Sequence, residues 1–324
     1  MLFNIKNKII KSQPSSHISN TQNYSRKTIL FTNARDEKNM KEWVTHHLLL
    51  GFDIIYIFDH KSIIPLKNEF RNFSKKVIIE RIEWENPIKL PLMKYAVNIA
   101  RRMGVHWMLY LDADELLVLK CYMGVRHLLG SYNFAHSLGI NWLMFGSNYH
   151  KKDPSGLLIE NYTKSEQKLN QHVKTFVRPE YVTSAINPHY YNVAFPNRVF
   201  SMNMKNIANT PFNVWEIDYK DAPAFIAHYI NQSEETYRNR KLKLPRDDLL
   251  GNRTIDLNMH KQYNDVDNFL VRDKYAERIR HLLHIANNVS ISNQVKEQIE
   301  EQVESVDESD TTLQEEHISL EVTK

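Results

Sequence analysis

Asp112-Ala113-Asp114-Glu115 is where the residue types and spacing of this chain could do chemistry. Two carboxylates at alternate positions follow the apolar run Trp107-Met108-Leu109-Tyr110-Leu111. So placed, they can hold a hard divalent cation through oxygen, with phosphate oxygens and water completing the shell. Such a cation would neutralise a leaving diphosphate. Glu115 adds a third carboxylate. The same residues could instead cap a following helix. The strand context favours the metal, because earlier apolar runs also end in polar groups.

Other residues could complete such a site. His228 can offer a neutral imidazole to a metal, or position a loop by hydrogen bonding, and His189 carries the same two readings. Lys174 and Arg178 can hold phosphate or an acidic acceptor. Arg238, Arg240, Lys241 and Lys243 lie on one basic stretch after His228. Of these, only Lys241 is assigned to the site, and the others read as a solvated face. Trp43, Trp84, Trp107 and Trp142 sit in apolar patterns and read as core. Trp215, in a polar region, is the better platform for stacking an acceptor sugar.

The elements that must position these groups can be read from periodicity. Thr28-Ile29-Leu30-Phe31-Thr32 is β-rich and leads into Asn33-Ala34-Arg35-Asp36-Glu37. Met40 to Leu50 has helical spacing, and Gly51 suits its end. Asp53 to Phe58 is a nearly continuous apolar run, as in buried parallel strands, and Asp59 leaves its end. A strand at Val77-Ile78-Ile79, a helix from Leu92 to Met103 and the strand ending at Leu111 repeat the rhythm. Alternating strands and helices predict an α/β fold with a mainly parallel sheet flanked by helices. Such sheets bind ligands beyond the carboxyl ends of their strands, where Asn33-Ala34-Arg35, Asp59 and Asp112-Ala113-Asp114 all lie. The second half is less regular: strands at Ser137 to Phe145 and Val173 to Val177, helices at Glu234 to Lys243 and Arg272 to Ala286.

Bulk properties bound the function. The chain has 324 residues, enough for one large domain, and 8 glycines, too few to favour glycine-rich phosphate loops. Its net charge of +4 permits a polyanionic partner without demanding one. Cys121 is alone, which excludes an internal disulfide and fits a reducing compartment, and it reads as a small residue near the core. No apolar run reaches the roughly 18 residues of a membrane span, and the start does not read as a secretory signal, so a cytoplasmic location is expected. Residues 1–26 read as a flexible arm, 27–290 as the folded domain and 291–324 as an acidic, disordered tail.

Four ordered segments carry a resemblance. The first holds Ala34-Arg35-Asp36-Glu37, Glu42-Trp43, His46-His47, Leu50-Gly51-Phe52-Asp53 and Tyr56-Ile57-Phe58-Asp59. The second is Trp107 to Leu116. The third holds Trp142 to Ser147, Glu160, Lys174, Arg178-Pro179 and Asn187-Pro188-His189, and the fourth His228-Tyr229, Ser233 and Lys241. Together they resemble glycosyltransferase family 92 and the related family-2-like transferases with a GT-A fold. The resemblance implies an inverting transfer of a hexose from a nucleotide-sugar donor, a UDP-sugar, to a hydroxyl of a glycan or other acceptor. It implies manganese or magnesium held by Asp112 and Asp114, with His228 as a late ligand. It places Ala34, Arg35 and Glu37 along the nucleotide and Asp59 on the base or ribose. Glu160, inside a matching segment, is the candidate general base, with Glu216 and Asp218 as rivals. The chain departs from the pattern at Asp36 and His60, where Asn is usual, at Pro91 to Tyr95, which lacks a common Gln, and at Gln232, where Lys is common.

Three other readings compete, one of them a transferase fold that has lost activity and serves as a scaffold, against which the intact Asp112 and Asp114 argue. A metal-dependent nucleotidyltransferase or phosphoesterase also uses paired carboxylates at strand ends, but would gather more of them. A nucleic-acid-binding protein would suit the basic body, but no recognised motif supports it and the aromatics are not interleaved with the cations, so no nucleic-acid partner is expected.

Overall fold

The computed structural model describes residues 27–288, except 72, 210, 212–213, 215–217, 241–243, 250–255 and 287. The expected arm (1–26) and tail (291–324) therefore lie outside the described residues, as do Lys241, Lys243, Trp215 and Glu216. The first half follows the predicted rhythm: β1 (Thr28–Ala34), α1 (Met40–Leu49), β2 (Ile54–His60), the short α2 (Leu66–Glu69), β3 (Val77–Ile82), α3 (Lys89–Arg102) and β4 (Trp107–Tyr110). Then come β5 (Glu115–Leu119), α4 (Val125–Ser131), β6 (Ser137–Met144), α5 (Leu158–Asn161), β7 (Lys164–Ser165) and β8 (Val173–Val177). The last part holds β9 (Val182–Asn187), β10 (Tyr190–Val193), β11 (Val199–Ser201), β12 (Ala224–His228), α6 (Glu234–Arg238), α7 (Leu257–His260) and β13 (Val266–Asp267). Residues 270–286 are helical.

The main sheet runs β3-β2-β1-β4-β8-β6-β12-β5, with β11 also on β6. The β3-β2-β1-β4 half is parallel throughout. Beyond it β8 enters antiparallel between β4 and β6, and β5 closes the far edge antiparallel to β12. This is an α/β architecture with a mainly parallel nucleotide-binding-type half, the arrangement that the GT-A resemblance implies.

Side chains of β1 alternate between two cores, as a strand dictates. Ile29 and Phe31 join α3, Tyr191 and Val193 on one face. Leu30 joins Trp43 and Val44 of α1 on the other. Gly51 and Gly104 follow the ends of α1 and α3 in the left-handed region, at φ 90° and 61°, where a Cβ would be strained. Among the described residues no helix is long and apolar enough to cross a membrane.

Two expectations change and one alternative falls away. Helix α3 begins at Lys89, three residues before the predicted start, because Pro91 falls in its first turn, where no backbone N–H is needed. The acidic cluster is followed by a strand, β5, and not by a helix it could cap. Cys121 is exposed, on the turn after β5, and not near the core.

Candidate active site

The chain turns sharply between β4 and β5, and this turn carries Asp112, Ala113 and Asp114 at the carboxyl end of the parallel half. Strand register and one backbone bond fix it against β12: Glu115 stands opposite His228, and Tyr229 N donates to Asp114 O at 2.9 Å. The turn forms the floor of a cleft of about 240 Å3, whose walls include Asn33, Arg35, Glu37, His60, Trp142, His189, Arg240 and Asp247.

Each carboxylate of the floor has its own cations. Asp112 Oδ1 accepts from Lys89 Nζ, and Asp112 Oδ2 from Lys174 Nζ at 2.9 Å. Both lysines are almost wholly buried, at 2% and 1% exposure. Lys89 also donates to Asn33 Oδ1 at 2.9 Å and lies over the Tyr110 ring. Lys174 also donates to Pro188 O at 3.3 Å and stands 3.5 Å from Glu115 Oε2. Burial alone would raise the Asp112 carboxyl, but Lys174 and Lys89 outweigh it and hold it well below the usual carboxylate range. Asp114 Oδ2 accepts from Arg240 Nη1 at 2.8 Å, and Oδ1 faces His228 Nε2 at 3.6 Å. Burial opposes ionisation here too, and Arg240 and His228 overcome it, so this carboxyl is also strongly acidic. Burial pushes Glu115 the other way, to about 7, against the pull of Lys174. His228, penalised by burial, is nonetheless raised because Asp114 and Glu115 favour its proton.

The cleft gathers only some of the residues singled out in the sequence. Arg35, Glu37, Asp112, Asp114, Lys174 and His228 line it together. Ala34 is buried beside it, paired in register with Asp59. Asp59 is committed elsewhere: it accepts from Ser62 N at 3.3 Å, Leu66 N at 3.0 Å and Arg81 Nη1 at 3.1 Å. It fastens the loop after β2, and its neighbour His60 is the residue that reaches the cleft. Arg178 sits at the opposite end of β8 from Lys174, because β8 runs antiparallel to β4, and its guanidinium stacks 5.1 Å over Trp107. Glu160 does not line the cleft: it pairs with Arg280 and accepts from Leu157 N at 3.4 Å at the start of α5. Lys241 lies outside the described residues.

The sequence pattern does not single out Lys89, Arg240, Asp247 or Trp142 for the cleft. Lys89 goes with the first turn of α3, which the pattern leaves out. Arg240 reads as part of a solvated face, yet it bridges Asp114 and, at 3.5 Å, Glu37. Trp142 is both core and site: it is 9% exposed and its ring packs 4.4 Å from that of His228.

A strand-end cleft with clustered carboxylates, fixed cations and a buried imidazole lies where sheets of this kind bind their ligands. The model of glycosyltransferase family 92 matches residues 27–267, and the chain belongs to that family. Similar solved structures include S. aureus TarS 1-349, at 13% identity over 48% of this chain and 48% of that one, with a TM-score of 0.32. Another is TarS 1-349 in complex with UDP, at 12% identity over 48% and 47%, TM-score 0.31. A third is GalNAc-T7 with UDP, GalNAc and Mn2+, at 9% identity over 66% and 45%, TM-score 0.37. The chain spans about half the length of these structures. No curated protein matches it.

Proposed function

We propose that this glycosyltransferase moves a hexose from a UDP-sugar to a hydroxyl of a glycan or other acceptor, with inversion, and uses a divalent cation, manganese or magnesium, to do so. The observation that carries the metal is the pair Asp114 and His228: a carboxylate oxygen and an imidazole nitrogen 3.6 Å apart, both lining the cleft. That donor set fits a divalent ion whose remaining positions are filled by diphosphate and water. Asp112 already accepts from Lys89 and Lys174, one on each oxygen, so in this reading it anchors the lysines and Asp114 is the carboxylate ligand. Among the described residues no three His, Cys, Asp or Glu side chains form a ready-made metal site.

When bound, the ion supplies charge neutralisation to the departing diphosphate. The chain does the rest. Arg240 adds a fixed guanidinium beside the same oxygens, and the lysine pair keeps the floor from being too negative for an anion. Arg35 and Glu37 line both the cleft and an adjoining groove of about 590 Å3, which also has Ile64, Leu66 and Leu244 on its walls. The nucleoside occupies that groove. The acceptor proton passes to a carboxylate of the cleft; Glu37, Asp247 and Asp248 are the candidates in place of Glu160.

Calorimetry of UDP binding with and without Mn2+ tests this reading. Asp114→Ala is expected to abolish the manganese dependence. UDP binding that is indifferent to Mn2+ in the native chain would remove the metal; no UDP binding at all would remove the donor.

A further inference from the structure

Glu115 has a buried oxygen with nothing to hold. Its side chain is wholly buried, and Oε2 is used twice, accepting from Asp112 N at 2.8 Å and facing Lys174 at 3.5 Å. Among the described residues Oε1 has no hydrogen-bond partner. Across the ladder, His228 Nδ1 is also buried without one, and the two atoms stand 4.0 Å apart. A buried donor and a buried acceptor left open cost free energy, so two that face each other across one gap are best understood as a hydrogen bond that a small shift would close.

The backbone makes that approach short. Glu115 and His228 are register partners of antiparallel β5 and β12, so their Cβ atoms share one face at close range. Trp142, on the neighbouring β6, packs against the imidazole and limits its rotation. The other ring nitrogen, Nε2, points at Asp114.

We propose that Glu115 is a positioning residue for His228: its Oε1 accepts the hydrogen bond of His228 Nδ1–H and thereby leaves Nε2 as the unprotonated nitrogen that completes a metal site with Asp114. The inference rests on the metal reading above and assigns Glu115 a role outside the ligand set. Carboxylates behind ligating histidines fix the ring's tautomer and raise its basicity. Asp112 and Glu115 thus act on either side of Asp114 without ligating: one anchors the lysines, the other orients the histidine.

The test is Mn2+ affinity, measured by calorimetry on the full chain in the presence of UDP, for the native protein, Glu115→Gln, His228→Gln and the double variant. Glutamine keeps the shape of Glu115 and can still accept from Asp112 N, but its amide presents a donor to His228 Nδ1 and forces the wrong tautomer. Glu115→Gln is expected to weaken Mn2+ by about 10- to 100-fold. UDP binding without metal should stay unchanged. In the His228→Gln background the same substitution should cost nothing further. If Glu115→Gln does not fold, Glu115→Asp keeps the charge near Lys174 but withdraws it from His228 by a methylene, and should also weaken Mn2+. Native affinity in the Glu115 variants, or a loss that adds in full to that of His228→Gln, would overturn the positioning role alone. A native protein that binds UDP but no Mn2+ would overturn it together with the metal reading.

Discussion

Two buried ammonium groups share one carboxylate at the floor of this cleft, and that sets what Asp112 can do. Lys89 and Lys174 are buried at 2% and 1% exposure, and each gives a hydrogen bond to a different oxygen of Asp112. A buried cation deprived of its counter-ion is costly, typically about 3–5 kcal/mol when one partner of a buried pair is removed. Asp112 is itself partly open to the cleft, so the lower end of that range applies. Asp112→Asn keeps one acceptor oxygen but turns an amide donor toward the second lysine. It is expected to lower folding stability by about 3 kcal/mol in urea unfolding. Asp114→Asn, whose chief partner Arg240 is 27% exposed, should lose clearly less. Equal losses would mean that the lysines find other acceptors, and Asp112 would return to contention as a ligand.

At the scale of elements, α1 is tied to β5 through two histidines that function did not absorb. His46 Nε2 donates to Leu117 O at 2.7 Å; His47 donates from Nδ1 to Trp43 O at 2.8 Å and accepts from Leu117 N at 3.3 Å through Nε2. Both rings are fully buried and must stay neutral. Burial pulls His46 from 6.5 to about 4, against the favourable bond to Leu117. Its folded value lies below its unfolded one, so the unfolded chain binds the extra proton. The stability this contributes is present above about pH 6.5 and is lost as pH falls toward about 4, by about 3 kcal/mol in all. Replacing His46 with Gln should flatten that part of the curve; an unchanged acid slope would acquit His46. The strands and helices up to β4 were legible because parallel strands buried on both faces and closed by glycine-capped helices leave strong local patterns. What was not legible depends on pairing at long range. Nothing local in Val173 to Val177 says that β8 enters antiparallel, and that choice brings Lys174 to Asp112 while carrying Arg178 away. Nothing in Asp112 to Leu119 says that a strand follows, and that strand sets Glu115 opposite His228. Lys89 escapes for a local reason: a proline suggests a boundary by its type, and Pro91 instead occupies the first helical turn.

Across the whole molecule, the cleft is built by residues far apart in sequence: Asn33, His60 and Lys89 from the first half, His228, Arg240 and Asp247 from the second. A ligand that fills it bridges both halves and binds only the folded chain. At a concentration 100 times its Kd it should stabilise the fold by about 2.7 kcal/mol, which for a domain of this size raises Tm by roughly 5–10 °C. UDP with Mn2+ is expected to give that shift, and Asp114→Ala to lose most of it. The nucleic-acid reading makes a different forecast. The excess of Lys and Arg over Asp and Glu is small, 42 against 38. Three cations of the cleft are already paired: Lys89 and Lys174 with Asp112, Arg240 with Asp114. A polyphosphate backbone entering the cleft would therefore find few unpaired cations there, and single-stranded RNA at equal phosphate concentration should move Tm by less than about 1 °C. A shift with RNA that vanished on adding salt, with none from UDP and Mn2+, would reverse the assignment of this cleft.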